Sequence, residues 1–447
     1  MLFALHLPFI SADPFIPLDD SRGAFTDEGL YLFQMENLWE TGILAINQAD
    51  GLLKTPLYNL LLLPFQLFGS LLIFRVCCLL FFVLALRTLS NRLKINDFFT
   101  LGLLLLLTLQ TTLFMHVHLA LAEVFVAAFV CLSIGHLNKV EHFAIAASLI
   151  IAAVACKIQY AYLLMLILPL LIYQIKSQTF QWKKWWLPLG LFTIFVGFCF
   201  SQSTGYQYII SHQQVGKFQD FGNWFFRAKA NLIHLCQDPF TLSFLLFFIV
   251  IALFLGYYYV NKRVKPSFIL LFMSIVWLLE SHKLLYVYLP QRYLVLWFLL
   301  MVCIILFGIK KVLSIVKPKR NILIGLSVAL LMLGIFQYAS LYKTRSFEMI
   351  ALHKSILAKL PKNATVTGPW APSLCFGSKV TSATAWNNYY ENEALWNKAG
   401  AYIIMEKNQS DVDSLFSKQL NPDLKLIPIT NGTIRHWEIG LWKVIEK

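Results

Sequence analysis

Two adjacent carboxylates, Asp27 and Glu28, head the run T-D-E-G-L-Y within residues 19–59, a polar stretch that also holds Asp19, Asp20, Arg22 and Glu36. Hydrocarbon-like sequence flanks it on both sides. Carboxylates beside a membrane are costly to desolvate, so they face water, a cation or a reacting group. A solvated loop with scattered acids accounts for any one of them taken singly. An adjacent pair at a helix start, above a membrane domain, points instead to a site. Further along, Arg75, His116, His118, Glu123, Lys157, His282, Lys283 and Arg292 interrupt apolar runs. Ionisable residues at membrane depth are rare and normally face a polar cavity. For Lys283 and Arg75 the competing account is snorkelling to the interface. A cavity lined by Asp27, Glu28, Glu123, Lys157 and Arg292 combines an anion-binding surface with carboxylates. Lys and Arg suit a phosphate or diphosphate head group. A nearby carboxylate could deprotonate an acceptor hydroxyl or amine, while the cations stabilise charge on a departing phosphate.

The elements that must position these residues are mostly transmembrane. The chain is 58% hydrophobic and 13% charged, with a mean hydropathy of +0.65, the composition of an integral membrane protein. Its net charge of +14 falls largely in short clusters between apolar runs, as membrane topology demands, which sets nucleic acid aside as a partner. Segments suited to spanning lie near 70–87, 97–115, 119–137, 143–157, 158–175, 185–202, 240–260, 267–280, 284–309 and 321–342. Basic joints around Arg87–Lys94, Lys139, Lys176–Lys184, Lys262–Lys265 and Lys310–Arg320 alternate with joints poor in Lys and Arg. The basic joints are therefore expected to be cytoplasmic. The acidic 19–59 stretch, the 203–239 joint and everything after 342 then share the outer side. After Gly29, Leu30, Phe33, Asn37 and Leu38 follow at helical spacing, which predicts a helix lying on the membrane surface. Joint 203–239 carries Tyr206, Trp224 and other aromatics that fit an interfacial belt, with a cover over a site as the alternative.

Met1–Ile10 has no cleavage site and is shorter than the roughly 20 residues a span requires. It is expected to be the outer end of a first transmembrane helix. The eight cysteines include no Cys-x-x-Cys or Cys/His ligand spacing; six of them lie in or beside apolar runs, as small packing residues do. From 343 the composition changes. Helices are expected at 346–360 and 411–420, with strands at 364–368, 401–406, 424–430 and 434–445, enough for one small α/β domain. Sequons start at Asn363, Asn408 and Asn431.

Taken in order, T-D-E-G-L-Y followed by K-T-P-L-Y-N resembles the first outer loop of GT-C glycosyltransferases, in the branch of bacterial relatives of protein O-mannosyltransferases and lipid A aminoarabinose transferases. Phe74-Arg75-Val76 is similar to the Arg that opens the second family helix. His118-Leu-Ala-Leu-Ala-Glu123 resembles the second acidic motif, with His where Arg is usual. Cys156-Lys157-Ile-Gln-Tyr160 and Gln291-Arg292-Tyr293 resemble the Thr-Lys-Tyr and Arg-Tyr steps. The resemblance implies that Asp27 is the catalytic base, with Glu28 and Glu123 as the other site acids. It implies that Lys157, Arg292, His118, Arg75 and Tyr293 hold the donor phosphate. A divalent cation on Asp27, Glu28 and Glu123 is the alternative to a metal-free arrangement in which Lys and Arg take its place; the metal-free form is preferred.

The expected molecule is an α-helical polytopic membrane protein, GT-C-like with about 10–11 transmembrane helices. Residues 1–342, including an outer loop at 11–69, form the membrane domain, and 343–447 form a small α/β domain on the periplasmic side of a bacterial inner membrane. The expected activity moves a sugar from a polyprenyl-phosphate donor to an acceptor lipid, glycan or protein, and the resemblance implies a single-displacement, inverting transfer. A flippase of lipid-linked sugars would use the same basic cavity without a base, although no inverted repeat is visible. A non-catalytic scaffold displaying the C-terminal domain would need neither the Asp-Glu pair nor Lys157.

Overall fold

A computed structural model describes residues 2–14, 23–42, 50–93, 106–107, 109–212, 223–262, 267–287, 289–313, 320–385, 393–407 and 414–447. Asp19, Asp20, Arg22, the stretch 97–105, the centre of the 203–239 joint, the basic residues at 263–265 and 317–319, and the Asn408 sequon lie outside the described residues.

The chain is an α-helical polytopic membrane protein with a small C-terminal α/β domain. Runs of Leu, Ile, Val and Phe become helices because hydrocarbon offers no partners for backbone polar groups. Six helices among the described residues are long and apolar enough to cross a membrane: Leu71–Arg92, Ile158–Lys176, Trp182–Ser201, Pro239–Tyr257, Phe268–Leu285 and Gln291–Lys310. A further helix, Arg320–Lys343, leads to the C-terminal domain. The 291–310 segment is the most enclosed and forms the centre of the bundle.

Two shorter helices, Ala122–His136 and Phe143–Cys156, make an antiparallel pair beside it. Both are rich in Ala, and Ala127, Ala128, Ala146, Ala147 and Ala153 are fully buried in their seam. Small side chains let transmembrane backbones approach closely, and the Ser133 hydroxyl adds a 3.0 Å bond to the Ala146 carbonyl across the pair. At 1.5 Å per residue these helices run only about 20 Å, short of a hydrocarbon core about 30 Å thick. The first residues of one and the last residue of the other therefore end together, recessed below one face of the bundle. Glu123 and Lys157 occupy that end.

Over the recess lies the helix Gly23–Thr41. It does not rest on a membrane surface. Phe25 through Asn37 are buried, with only the end around Trp39 and Glu40 exposed. Leu30, Tyr31, Leu32 and Phe33 join the core of the helical body, while Phe25 joins the core of the C-terminal domain. Partners on both sides enclose the helix, which a reading of its amphipathic face alone does not reveal.

The C-terminal domain is built on a five-stranded sheet in the order β2-β1-β3-β5-β4, with β1 Thr365–Thr367, β2 Thr381–Ala383, β3 Tyr402–Glu406, β4 Leu424–Ile434 and β5 Trp437–Glu446. β1 pairs parallel with β2 and β3, and β5 pairs antiparallel with β3 and β4. The short β2 was not among the expected strands. β4 also runs on through Asn431-Gly432-Thr433, where a break was expected, because those residues stay in register with β5. Helix Glu348–Leu357 covers one sheet face, and Ala371–Leu374 meets the Gly23–Thr41 helix.

Candidate active site

The recessed end gathers charges from five separate parts of the chain. Each arrives for a local reason. Glu123 sits in the first turn of its helix and Lys157 directly after the last turn of its neighbour, where the helix macrodipole favours an anion and a cation respectively. At Lys157 the backbone becomes extended (φ −154°, ψ 107°) before a 3-10 segment resumes, so the α-helix stops at this side chain. Arg75 lies in the first turns of Leu71–Arg92, and Arg292 in a 3-10 turn preceding Val295–Leu313. Asp27 and Glu28 come from the covering helix.

Asp27 is paired with Arg292, whose Nε is 2.7 Å from Oδ2, and Oδ2 also accepts a 3.0 Å bond from the Tyr31 hydroxyl. Tyr31 lies one helical turn after Asp27, so the two share a face. Its hydroxyl in turn accepts 2.7 Å from Lys157 Nζ, which donates 2.5 Å to Glu123 Oε1. A continuous path thus runs Arg292–Asp27–Tyr31–Lys157–Glu123. Glu123 Oε1 is also 4.0 Å from Arg292 Nε, which nearly closes the ring. The Tyr293 ring lies 5.0 Å from both Lys157 Nζ and the Arg292 guanidinium carbon, a cation–π platform under the two cations. Gly23 admits the guanidinium, because a Cβ there would lie 2.5 Å from both terminal nitrogens of Arg292.

Glu28 is held apart from this path. Arg75 grips it with two bonds, Nε to Oε1 at 2.8 Å and its terminal nitrogen to Oε2 at 2.6 Å, and the Ala120 amide adds a third at 2.7 Å. Arg75 also donates to the carbonyls of Ile10 and Ala12 at 2.8 and 2.9 Å. Arg75 does not snorkel, because every direction of its fork meets an acceptor inside the protein. Lys283 does not snorkel either. Its ammonium is buried over the Tyr160 ring and donates to Glu280 at 2.7 Å and to the Tyr293 carbonyl at 3.0 Å.

The structure therefore brings together Asp27, Glu123, Lys157, Arg292 and Tyr293, with Glu28 and Arg75 packed alongside as a separate pair. His118 faces elsewhere: its Nδ1 bonds the Phe114 carbonyl at 3.3 Å and its ring packs on Phe9 and His6. Tyr31 was not among the predicted site residues, although its spacing from Asp27 was a usable signal. Glu280 with its partners Lys283 and Tyr162 was likewise absent from the expected acids.

The carboxylates do not fit the divalent-cation alternative. Asp27, Glu28 and Glu123 each face a different basic residue rather than one another. Among the described residues no group of three or more His, Cys, Asp or Glu side chains is arranged to hold a metal ion. The arrangement can take an anion at Lys157 and Arg292 and offer a carboxylate beside it.

No family model matches this chain, and no curated protein matches it. Among solved structures it is similar to the crystal structure of ArnT from Cupriavidus metallidurans in the apo state, with a TM-score of 0.47 and 12% sequence identity over 98% of this chain and 97% of that one.

Proposed function

We propose that the chain is a GT-C-type glycosyltransferase that moves a sugar from a polyprenyl-phosphate carrier to a lipid, glycan or protein acceptor at the outer face of a bacterial inner membrane. The observation that carries this reading is the linked path Arg292–Asp27–Tyr31–Lys157–Glu123 at a recessed, membrane-level end of the helix bundle. Two cations suited to one phosphate and a carboxylate suited to an acceptor proton lie within a few bonds of each other.

The charges suggest an order of events. Without substrate, Asp27 neutralises Arg292 and Glu123 neutralises Lys157. A carrier phosphate entering over the Tyr293 ring competes for both cations. As Arg292 turns toward the phosphate, Asp27 is released to accept a proton. The acceptor oxygen or nitrogen then bonds to the anomeric carbon while the bond from that carbon to the phosphate oxygen breaks. The acceptor proton moves to Asp27, and the carrier phosphate leaves with its new charge held by Lys157 and Arg292. Glu123 keeps Lys157 aimed, and Tyr31 couples the base to the cation. Because Asp27 is already held by a cation, donor binding activates the base.

The test is transfer of radiolabelled sugar from a panel of synthetic polyprenyl-phosphate sugars in membranes carrying wild type or Asp27→Asn. Label in an acceptor with wild type and background with the variant is expected. Equal labelling removes Asp27 from the role of base, and labelling with no donor counts against the transferase reading and makes a flipping assay with the same lipids the deciding test.

A further inference from the structure

The turn that carries Asp27 and Glu28 is gripped from the C-terminal domain by one hydroxyl. Ser373 Oγ accepts the Gly29 amide at 3.1 Å and donates to the Thr26 carbonyl at 3.1 Å, so it bonds the backbone on both sides of the two acids. Gly29 makes this approach possible, since a Cβ there would lie 2.4 Å from the Ser373 amide nitrogen and 2.5 Å from the Pro372 carbonyl carbon. Those are backbone atoms, which cannot swing aside. Just before the acids, Phe25 packs against both Trp370 and Trp437, with ring centroids at 6.0 and 5.3 Å, in a three-ring cluster at the core of the domain. Farther along the helix, Glu36 accepts the Gly377 amide, and Asn37 exchanges two bonds with Ser382, donating at 2.8 Å and accepting at 3.3 Å.

These contacts fix the helix in rotation as well as position. Asp27 and Tyr31 share the face opposite Arg292 and Lys157, and turning the helix would carry both away together. We infer that Ser373 is a positioning residue and that the C-terminal domain is the brace that aims the Asp27–Glu28 turn into the site. The catalytic half of this inference rests on the proposed transferase activity; the mechanical half does not.

The experiment uses the full-length protein in nanodiscs, as wild type, Ser373→Ala, Ser373→Cys and Lys407→Ala. Lys407 belongs to an exposed ion pair with Glu438 on the sheet and serves as control. Amide hydrogen exchange is followed in 24–31, in 71–92 and in 402–406, and kcat and KM are measured with the synthetic donor on which wild type is active. Losing both hydroxyl bonds is expected to speed exchange in 24–31 roughly tenfold, leaving the other two segments unchanged. For the same variant, kcat falls roughly tenfold while donor KM stays within about twofold, because Lys157 and Arg292 are untouched. Ser373→Cys keeps the volume with a weaker hydrogen-bonding group; it gives an intermediate value and stands in where the alanine protein does not survive purification. Wild-type exchange and wild-type kcat in both Ser373 variants overturn the brace. Equal loss of protection in all three segments also overturns it, since that is general destabilisation. If wild type transfers from no donor, the exchange data alone decide the brace, and the failure belongs to the transferase reading.

Discussion

Asp27 and Glu28 are neighbours in the chain yet live in opposite surroundings. Glu28 is fully buried, and both of its oxygens are bonded, to Arg75 and to the Ala120 amide. Arg75 spends its remaining contacts on two carbonyls of the N-terminal segment. Nothing in that knot is left to react. Asp27 keeps 8% of its surface, and the path it belongs to ends at Glu123 Oε2, a buried oxygen without a hydrogen-bond partner among the described residues. Buried polar atoms are nearly always satisfied, so an unpartnered carboxylate oxygen in a charged cluster calls for an explanation. The comparison teaches that a charged pair at membrane depth is not by itself a site. Saturation marks Glu28 with Arg75 as a structural knot, and the Asp27 path lacks it.

The sharpest way to break this contrast is to remove one half of the knot. Arg75→Ala leaves the Glu28 carboxylate buried without its cation and is expected to cost about 3–5 kcal/mol, read as loss of folded protein in detergent or as a steep drop in Tm. Replacing Glu28 and Arg75 together by apolar residues of similar size should recover most of that loss, with a remainder from the orphaned Ala120 amide. A mild effect of Arg75→Ala would mean the knot is wetter than its geometry implies.

On the other side, Asp27→Asn is expected to lower transfer by at least about a hundredfold, the usual scale for a general base. Its effect on Tm should be far smaller than that of Arg75→Ala, because Glu123 remains 4.0 Å from Arg292 and Asp27 is in reach of water. Matching losses of stability in the two variants would erase the distinction between them. Tyr31→Phe removes only the hydroxyl between Asp27 and Lys157, so initial-rate assays should find transfer reduced about two- to tenfold.

The smallest effect concerns Glu36, where the covering helix meets the C-terminal domain. Burial pushes its carboxyl well above the usual range, with the Gly377 amide opposing that shift only in part. The folded protein holds this proton more tightly than the unfolded chain. Burial of Glu36 is therefore best tolerated below about pH 4.3, the ordinary Glu value, and stability is lost as pH rises from there through the raised value. Glu36→Gln should flatten that part of the Tm-versus-pH curve and raise Tm slightly at neutral pH.

The sequence by itself determined the membrane-spanning helices, the small C-terminal α/β unit and the identity of most charged residues that meet at the recess. Apolar runs are local signals, and lipid leaves them no structure but the helix. Glu123, Lys157 and Arg292 stood out because an ionisable group in an apolar run is conspicuous without a partner in view, and Asp27 because it is one of two adjacent acids beside hydrocarbon-like sequence. Only the tertiary structure decided which acid takes which cation, because those pairings join residues far apart in the chain. It separated Glu28 with Arg75 from the path through Asp27 and Lys157, and it turned His118 toward His6 and Phe9. It also brought Lys283 inward onto Glu280, and enclosed the 23–41 helix between two cores where its amphipathic face suggested a membrane surface. Tyr31 and Ser373 acquire roles only through what their hydroxyls touch. A hydroxyl in sequence is ordinary, and the contacts that matter reach residues far along the chain.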